Sequence, residues 1–176
     1  MSRYLVVVDM QNDFVEGALG TDEARKIIPS VLKKIRDFKG QVIYTKDTHG
    51  SDYLLTQEGR RLPVTHCIED TYGGQLIREL EQLQAERPVK IFEKSTFASV
   101  EMAEVLKREH RRQPIESVEL IGVCTDICVV SNAILLKAYL PEVLISVDSS
   151  CCAGVTPQLH EAALQTMESC QIMIRR

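Results

Sequence analysis

Three residue types in this sequence could together cleave an amide: a thiol in Cys128, a carboxylate in Asp9 and a cation in Lys94. A thiol needs a base to take its proton, and Asp9 is the carboxylate that closes the first apolar run. A buried cation beside both would hold a thiolate and offset the carboxylate, and Lys94 can supply it. An anionic tetrahedral intermediate needs N–H donors, which a helix start around Cys128 would provide. Each residue also has a plainer explanation. Free cysteine packs like a small apolar side chain, an aspartate can turn the chain after a strand, and a lysine can sit on the surface.

The elements around these residues decide between the two accounts. Val118-Glu119-Leu120-Ile121 reads as a buried parallel strand that Gly122 ends. Thr125 is expected to cap a helix running through Leu140, which puts Cys128 at the third helical position. There, free N–H groups and the helix dipole would lower the thiol pKa. This corner alone leaves both nucleophile and core filler open. Cys124 and Cys128, at i and i+4, could also share a metal, but no second Cys/His pair stands at zinc-site spacing.

The rest of the chain alternates apolar runs with amphipathic segments. Tyr4–Val8 is a β-branched run typical of a strand covered on both faces. A helix follows Gly20, with Ile28, Val31, Leu32 and Ile35 on one face, and Pro29 is tolerable only near its first turn. Strands are predicted at Gln41–Thr45, Val89–Phe92, Val143–Val147 and Gln171–Ile174, with helices at Gly74–Leu83, from Ser99, and from Thr156-Pro157. Periodicity is lost between Gly50 and Tyr72, and a loop of that length is usually functional. The pattern predicts an α/β domain with a mostly parallel sheet and helices on both faces. Asp9, Asp47, Lys94 and the Cys128 turn all fall just past a strand's carboxyl end, the edge where open parallel sheets bind ligands. That convergence favours the nucleophile.

Composition sets the limits. The 176 residues suit one domain spanning 1–176, large enough for a substantial core. A net charge of −4, with no basic cluster to offset it, argues against nucleic acid as a partner. No apolar run is long enough to span a membrane, and no signal-peptide pattern opens the chain. The six cysteines are then expected as reduced thiols in a cytoplasmic setting.

Three stretches carry a resemblance. Val7-Val8-Asp9-Met10-Gln11-Asn12-Asp13-Phe14, Glu93-Lys94-Ser95-Thr96-Phe97-Ala98-Ser99 and Gly122-Val123-Cys124-Thr125-Asp126-Ile127-Cys128-Val129 are similar to the signatures of the isochorismatase-like cysteine hydrolases, a superfamily that includes nicotinamidases. The resemblance covers essentially the whole chain in order. It implies a six-stranded, three-layer α/β/α fold and an Asp9–Lys94–Cys128 triad acting on a small carboxamide through a thioester. It also implies a cis peptide between Val123 and Cys124, with the N–H groups of Cys124 and Cys128 facing the oxyanion. Phe14 and Phe97 would line the substrate pocket. The expected partners are a small amide and further copies of the same chain.

Within that superfamily, Asp47-Thr48-His49 and Leu62-Pro63-Val64-Thr65-His66-Cys67 resemble the metal-binding motifs of nicotinamidases. Asp47, His49 and His66, with Glu58 as a fourth ligand, would hold a divalent ion, zinc first, with iron or manganese as alternatives. The sequence departs from the pattern in two places. Thr48 stands where nicotinamidases usually have tryptophan, in a chain without any tryptophan, and Asp70 stands where they usually have glycine. An altered ring pocket is the expectation. Two readings from other classes compete. A receiver-like signalling module needs paired acids after the first strand, which Asp9-Met10 does not supply. A catalytically dead scaffold or thiol-redox protein has no use for an intact triad.

Overall fold

A strand apolar on both faces needs cover on both sides. In β1 (Ser2–Val8), Tyr4, Val6 and Val8 enter one core cluster, while Leu5 and Val7 enter another. The computed structural model describes residues 2–176 and flanks β1 with β2 (Gln41–Asp47) and β4 (Ile115–Val123). The sheet continues outward through β3 (Lys90–Lys94) on one side and β5 (Leu144–Ala153) and β6 (Met173–Arg175) on the other. Its order is β3-β2-β1-β4-β5-β6, and every pairing is parallel, beyond the mostly parallel sheet predicted.

Helices α5 (Val100–Arg112), α6 (Val130–Tyr139) and α7 (Pro157–Ser169) bury Met102, Leu106, Leu136 and Leu164 against one face. On the other face α1 (Asn12–Val15), α2 (Asp22–Asp37) and α4 (Arg78–Glu86) bury Phe14, Val31, Ile35 and Leu80. The result is the three-layer α/β/α arrangement that the sequence implied.

Several boundaries differ from those predicted. Pro29 lies mid-way along α2, not in its first turn, and it is tolerated because it sits on the solvent face. The carbonyl it leaves unpaired can be hydrated there. The predicted helix at Gly74–Leu83 starts only at Arg78. The carbonyls of Gly73, Gly74 and Gln75 are instead taken by the Asp13 N–H, the Gln11 amide and the Asn12 N–H, which pins this stretch as a loop. The stretch from Gly50 to Tyr72 holds a 3₁₀ turn at Tyr53–Leu55 and the short α3 (Gln57–Arg61), capped by the Thr56 hydroxyl. β5 runs past Asp148 to Ala153.

Register brings the strand ends together. Val8 pairs with Thr45 on one side and Gly122 on the other, and Asp47 pairs with Lys94. Gly122 does not end β4 but sits within it, with φ at +115°. A Cβ there would run into the Val8 backbone, so only glycine allows this close approach. A cis peptide joins Val123 to Cys124, as the resemblance implied. The chain then makes a π-helical turn, Thr125–Val129, before α6. Cys124, not Thr125, occupies the cap position, because the Thr125 hydroxyl pairs with Nδ1 of His160 on α7 at 2.8 Å. Cys128 is accordingly the fourth residue of a wide turn rather than the third of an α-helix.

Candidate active site

Asp9 sits one residue past β1 with φ at +50°, and its side chain is wholly buried. The Thr45 hydroxyl donates to its Oδ1 at 2.6 Å, and the Lys94 ammonium lies 2.6 Å from its Oδ2. Among the described residues Oδ2 has no hydrogen bond of good angle, so the lysine contact is an ion pair that leaves a lone pair free. Lys94, the last residue of β3, also lies 3.7 Å from Cys128 Sγ and 3.5 Å from Asp47 Oδ1. The three residues predicted as a triad therefore meet around one buried ammonium.

The charge state differs from the sequence expectation. Burial is the largest influence on the Cys128 thiol and pushes its pKa well above the usual cysteine range. The charge of Asp9 acts in the same direction, and Lys94 only partly opposes it. A lowered pKa at a helix start is therefore not what this site has, since desolvation outweighs the dipole. Burial also raises the Asp9 pKa against the pull of Lys94. Lys94 is held above its ordinary value despite its own burial, chiefly by the negative charge of Asp9 with Asp47 adding to it. A neutral thiol thus faces a carboxylate of raised proton affinity, with a permanent cation between them. Such a group can pass the thiol proton to Asp9 as the sulfur attacks an electrophilic carbon.

Beside it lies a second cluster. One ligand atom each from Asp47, His49 and His66 lies within 4.8 Å of the others, and all three residues are buried. Asp47 Oδ2 is 3.0 Å from His49 Nε2 and 3.6 Å from His66 Nε2. Glu58 Oε1 stands 3.9 Å from both imidazole Nε2 atoms, at the edge of the group. His66 Nδ1 donates to the Val64 carbonyl at 2.8 Å, which turns the Nε2 lone pair of a neutral ring toward Asp47. Two lone pairs facing each other in a buried site call for a cation between them, either a proton or a metal. The His66 pKa is raised despite burial, through Asp47, the Val64 carbonyl and Glu58, and that of Asp47 is lowered despite burial, mainly by the two histidines. This donor set suits a divalent ion with nitrogen and oxygen preferences.

Tyr53 packs on both imidazoles, with ring centroids 4.7 Å from His49 and 4.9 Å from His66. A pocket of about 730 Å³ opens over His49 and Glu58, walled by Tyr53, Leu62, Phe97 and Ile127, the residue before Cys128. Of the two phenylalanines expected at a substrate pocket, Phe97 lines this cavity. Phe14 does not line it: it is buried and packs against His66, ring centroids 5.5 Å apart.

Four buried side chains brace the site without having been read from the sequence as site residues. The Gln11 amide accepts from the Asp47 N–H at 2.7 Å and donates to the carbonyls of Asp47 and Gly74 at 2.8 and 2.9 Å, fixing the end of β2. Thr45 orients Asp9, and Thr125 is tied to His160. Asn132 binds the Cys128 carbonyl from one turn below. Gln11 and Asn132 are wholly buried polar residues in apolar surroundings, a departure visible in the sequence only once their neighbours are assigned to the core.

The chain is similar to known proteins over nearly its whole length. The model of the isochorismatase domain matches residues 3–175. A nicotinamidase/pyrazinamidase of Mycobacterium tuberculosis is 26% identical over 187 residues, covering 97% of this chain and 96% of its own. Among solved structures, the nicotinamidase/pyrazinamidase of Bacillus subtilis superposes with a TM-score of 0.84 at 28% identity over the full length of both chains. The pyrazinamidase of Pyrococcus horikoshii in complex with zinc gives a TM-score of 0.83 at 28% identity, covering 100% of this chain and 99% of that one.

Proposed function

Because the chain belongs to the isochorismatase domain family, we propose that it hydrolyses a small nicotinamide-like carboxamide to the acid and ammonia, with Asp9, Lys94 and Cys128 as its catalytic residues. The observation that carries this reading is the meeting of all three around the Lys94 ammonium, 2.6 Å from Asp9 and 3.7 Å from Cys128. Cys128 gives its proton to Asp9 Oδ2 as its sulfur bonds to the carboxamide carbon. The backbone N–H groups of Cys124, just ahead of the π-helical turn, and of Cys128, within it, stabilise the oxyanion. Asp9 returns the proton to the departing nitrogen, the C–N bond breaks, ammonia leaves and a thioester remains on Cys128. Water, deprotonated by Asp9, then cleaves the thioester and restores the thiol.

Asp47, His49 and His66 would hold a zinc ion, with Glu58 or water completing the shell. The structure of a relative in complex with zinc supports the choice of metal. Bound there, the ion supplies a Lewis-acid anchor for a ring nitrogen. Phe97 offers an aromatic wall for the ring, and Tyr53 keeps the two imidazoles in place. The test is ammonia release from nicotinamide and pyrazinamide against carbamoyl and ureido compounds, with and without added zinc. Turnover confined to the ureido compounds would defeat the carboxamide assignment, and turnover indifferent to zinc would defeat the metal.

A further inference from the structure

The Asn132 side chain lies at the junction of the nucleophile turn and the pocket wall. It is fully buried, and its amide makes three hydrogen bonds to backbone groups. Nδ2 donates to the Cys128 carbonyl at 2.8 Å and to the Phe97 carbonyl at 3.1 Å. Oδ1 accepts from the Ser99 N–H at 2.9 Å. The first bond stays within one helical run. The other two reach across to the segment that leaves β3 after Lys94 and carries Phe97, whose ring lines the pocket and is 48% exposed. Nothing else about Phe97 fixes it as firmly: its ring lies open, while its carbonyl is held from below.

The geometry points to Asn132 as a positioning residue that sets the gap between the Cys128 sulfur and the Phe97 wall, and so selects for amides carrying a flat ring. This rests on the reading of Cys128 as nucleophile under the proposed function. The buried amide hydrogen-bonds both segments that a ring-bearing substrate must bridge, the Cys128 turn and the stretch from Phe97 to Ser99. Its replacement should therefore loosen the grip on the ring before it affects the thiol.

Threonine separates the two effects. In a helix its hydroxyl bonds back to the carbonyl four residues earlier, so Asn132→Thr keeps a partner for Cys128 and loses both ties to Phe97 and Ser99. The experiment measures alkylation of Cys128 by chloroacetamide, which has no ring, and by 3-(chloroacetyl)pyridine, each rate divided by that with free cysteine. The wild type should favour the pyridyl reagent. Asn132→Thr should lose roughly tenfold of that advantage, the scale of a modest misplacement, with the chloroacetamide rate unchanged within about twofold. Asn132→Ala, lacking all three bonds, should slow both reagents. The inference is overturned if Asn132→Thr keeps its pyridyl advantage, if it slows both reagents equally, or if the wild type has no advantage to lose. Should Asn132→Thr fail to fold, Asn132→Ser replaces it with the same expectation. Nicotinamide turnover by the wild type, assayed in parallel, tests the hydrolase reading separately, since alkylation needs no turnover.

Discussion

The two halves of the site solve the same electrostatic problem in opposite ways. Around Cys128 the chain brings its own cation: Lys94 is buried between Asp9 and the thiol, and the carboxylate is neutralised from within. Around His49 and His66 it gathers a buried carboxylate and two imidazoles with Glu58 at the edge, and among the described residues it supplies no cation beyond the far side of Lys94, 3.5 Å from Asp47. The first half stands on strand ends locked by sheet register. The second borrows His66 from within the long connection after β2. A self-neutralised site needs no ion to balance it, whereas a site lacking its counter-charge gains stability when an ion arrives. Chemistry and substrate anchoring should then be separable by mutation.

The sharpest separation is Cys128→Ala. Turnover of any carboxamide the wild type hydrolyses should drop by about 10⁴-fold or more, while metal content, read by elemental analysis, stays at the wild-type level. Surviving turnover would break the comparison by removing the chemistry from this half. Asp9→Asn should slow kcat by about 10²-fold or more, the scale of losing a general base, again without loss of metal. On the other side, His49→Ala combined with His66→Ala should abolish metal uptake and raise KM about tenfold, as a lost substrate anchor would. Chloroacetamide should still alkylate Cys128 in that variant at close to the wild-type rate. If alkylation collapses too, the halves are one unit.

The smallest effect is one of pH. Without metal, the raised pKa of His66 stabilises the fold below about 6.5, its ordinary value, and that contribution is lost as pH rises through the folded-state value. With metal, the proton is a competitor and the dependence reverses. The gap in Tm between zinc-loaded and chelator-stripped protein should therefore widen between about pH 6 and 8, as differential scanning calorimetry would read it. A constant gap would mean that His66 does not ligate.

The strands were legible because they are buried on both faces and rich in β-branched residues, as in Tyr4–Val8. Since Asp9, Asp47 and Lys94 close or follow such runs, their meeting at one edge follows once parallel pairing is assumed. Glycine 122 misled: it reads as a strand end, yet it belongs to the strand because Val8 leaves no room for a Cβ. Thr125 looked like a cap because its hydroxyl has the right chemistry, but a partner thirty-five residues away, His160, claims it. The delayed start of α4 has a similar origin, in carbonyls taken by Gln11 and the first residues of α1, far back in sequence. The charge state of Cys128 could not be read from neighbours along the chain. It depends on how completely water is excluded, and that is a property of the packed core.

The Gln11 amide carries a consequence for how this molecule breathes. It joins the end of β1, both backbone groups of Asp47 and the carbonyl of Gly74, and all three of its bonds are buried. The loop that closes over the histidines therefore has no hinge of its own at its far end. For it to swing away, Gln11 must release Gly74 and leave a donor without a partner inside the protein, a cost of about 1–3 kcal/mol. The Asp47 amide proton, bound by the same side chain, should then exchange with solvent only in the rare openings that also free the sheet edge. Solvent-exposed turns nearby, such as the one around Asp52, are free to exchange far sooner. Opening of the loop and loosening of the strand end are a single event.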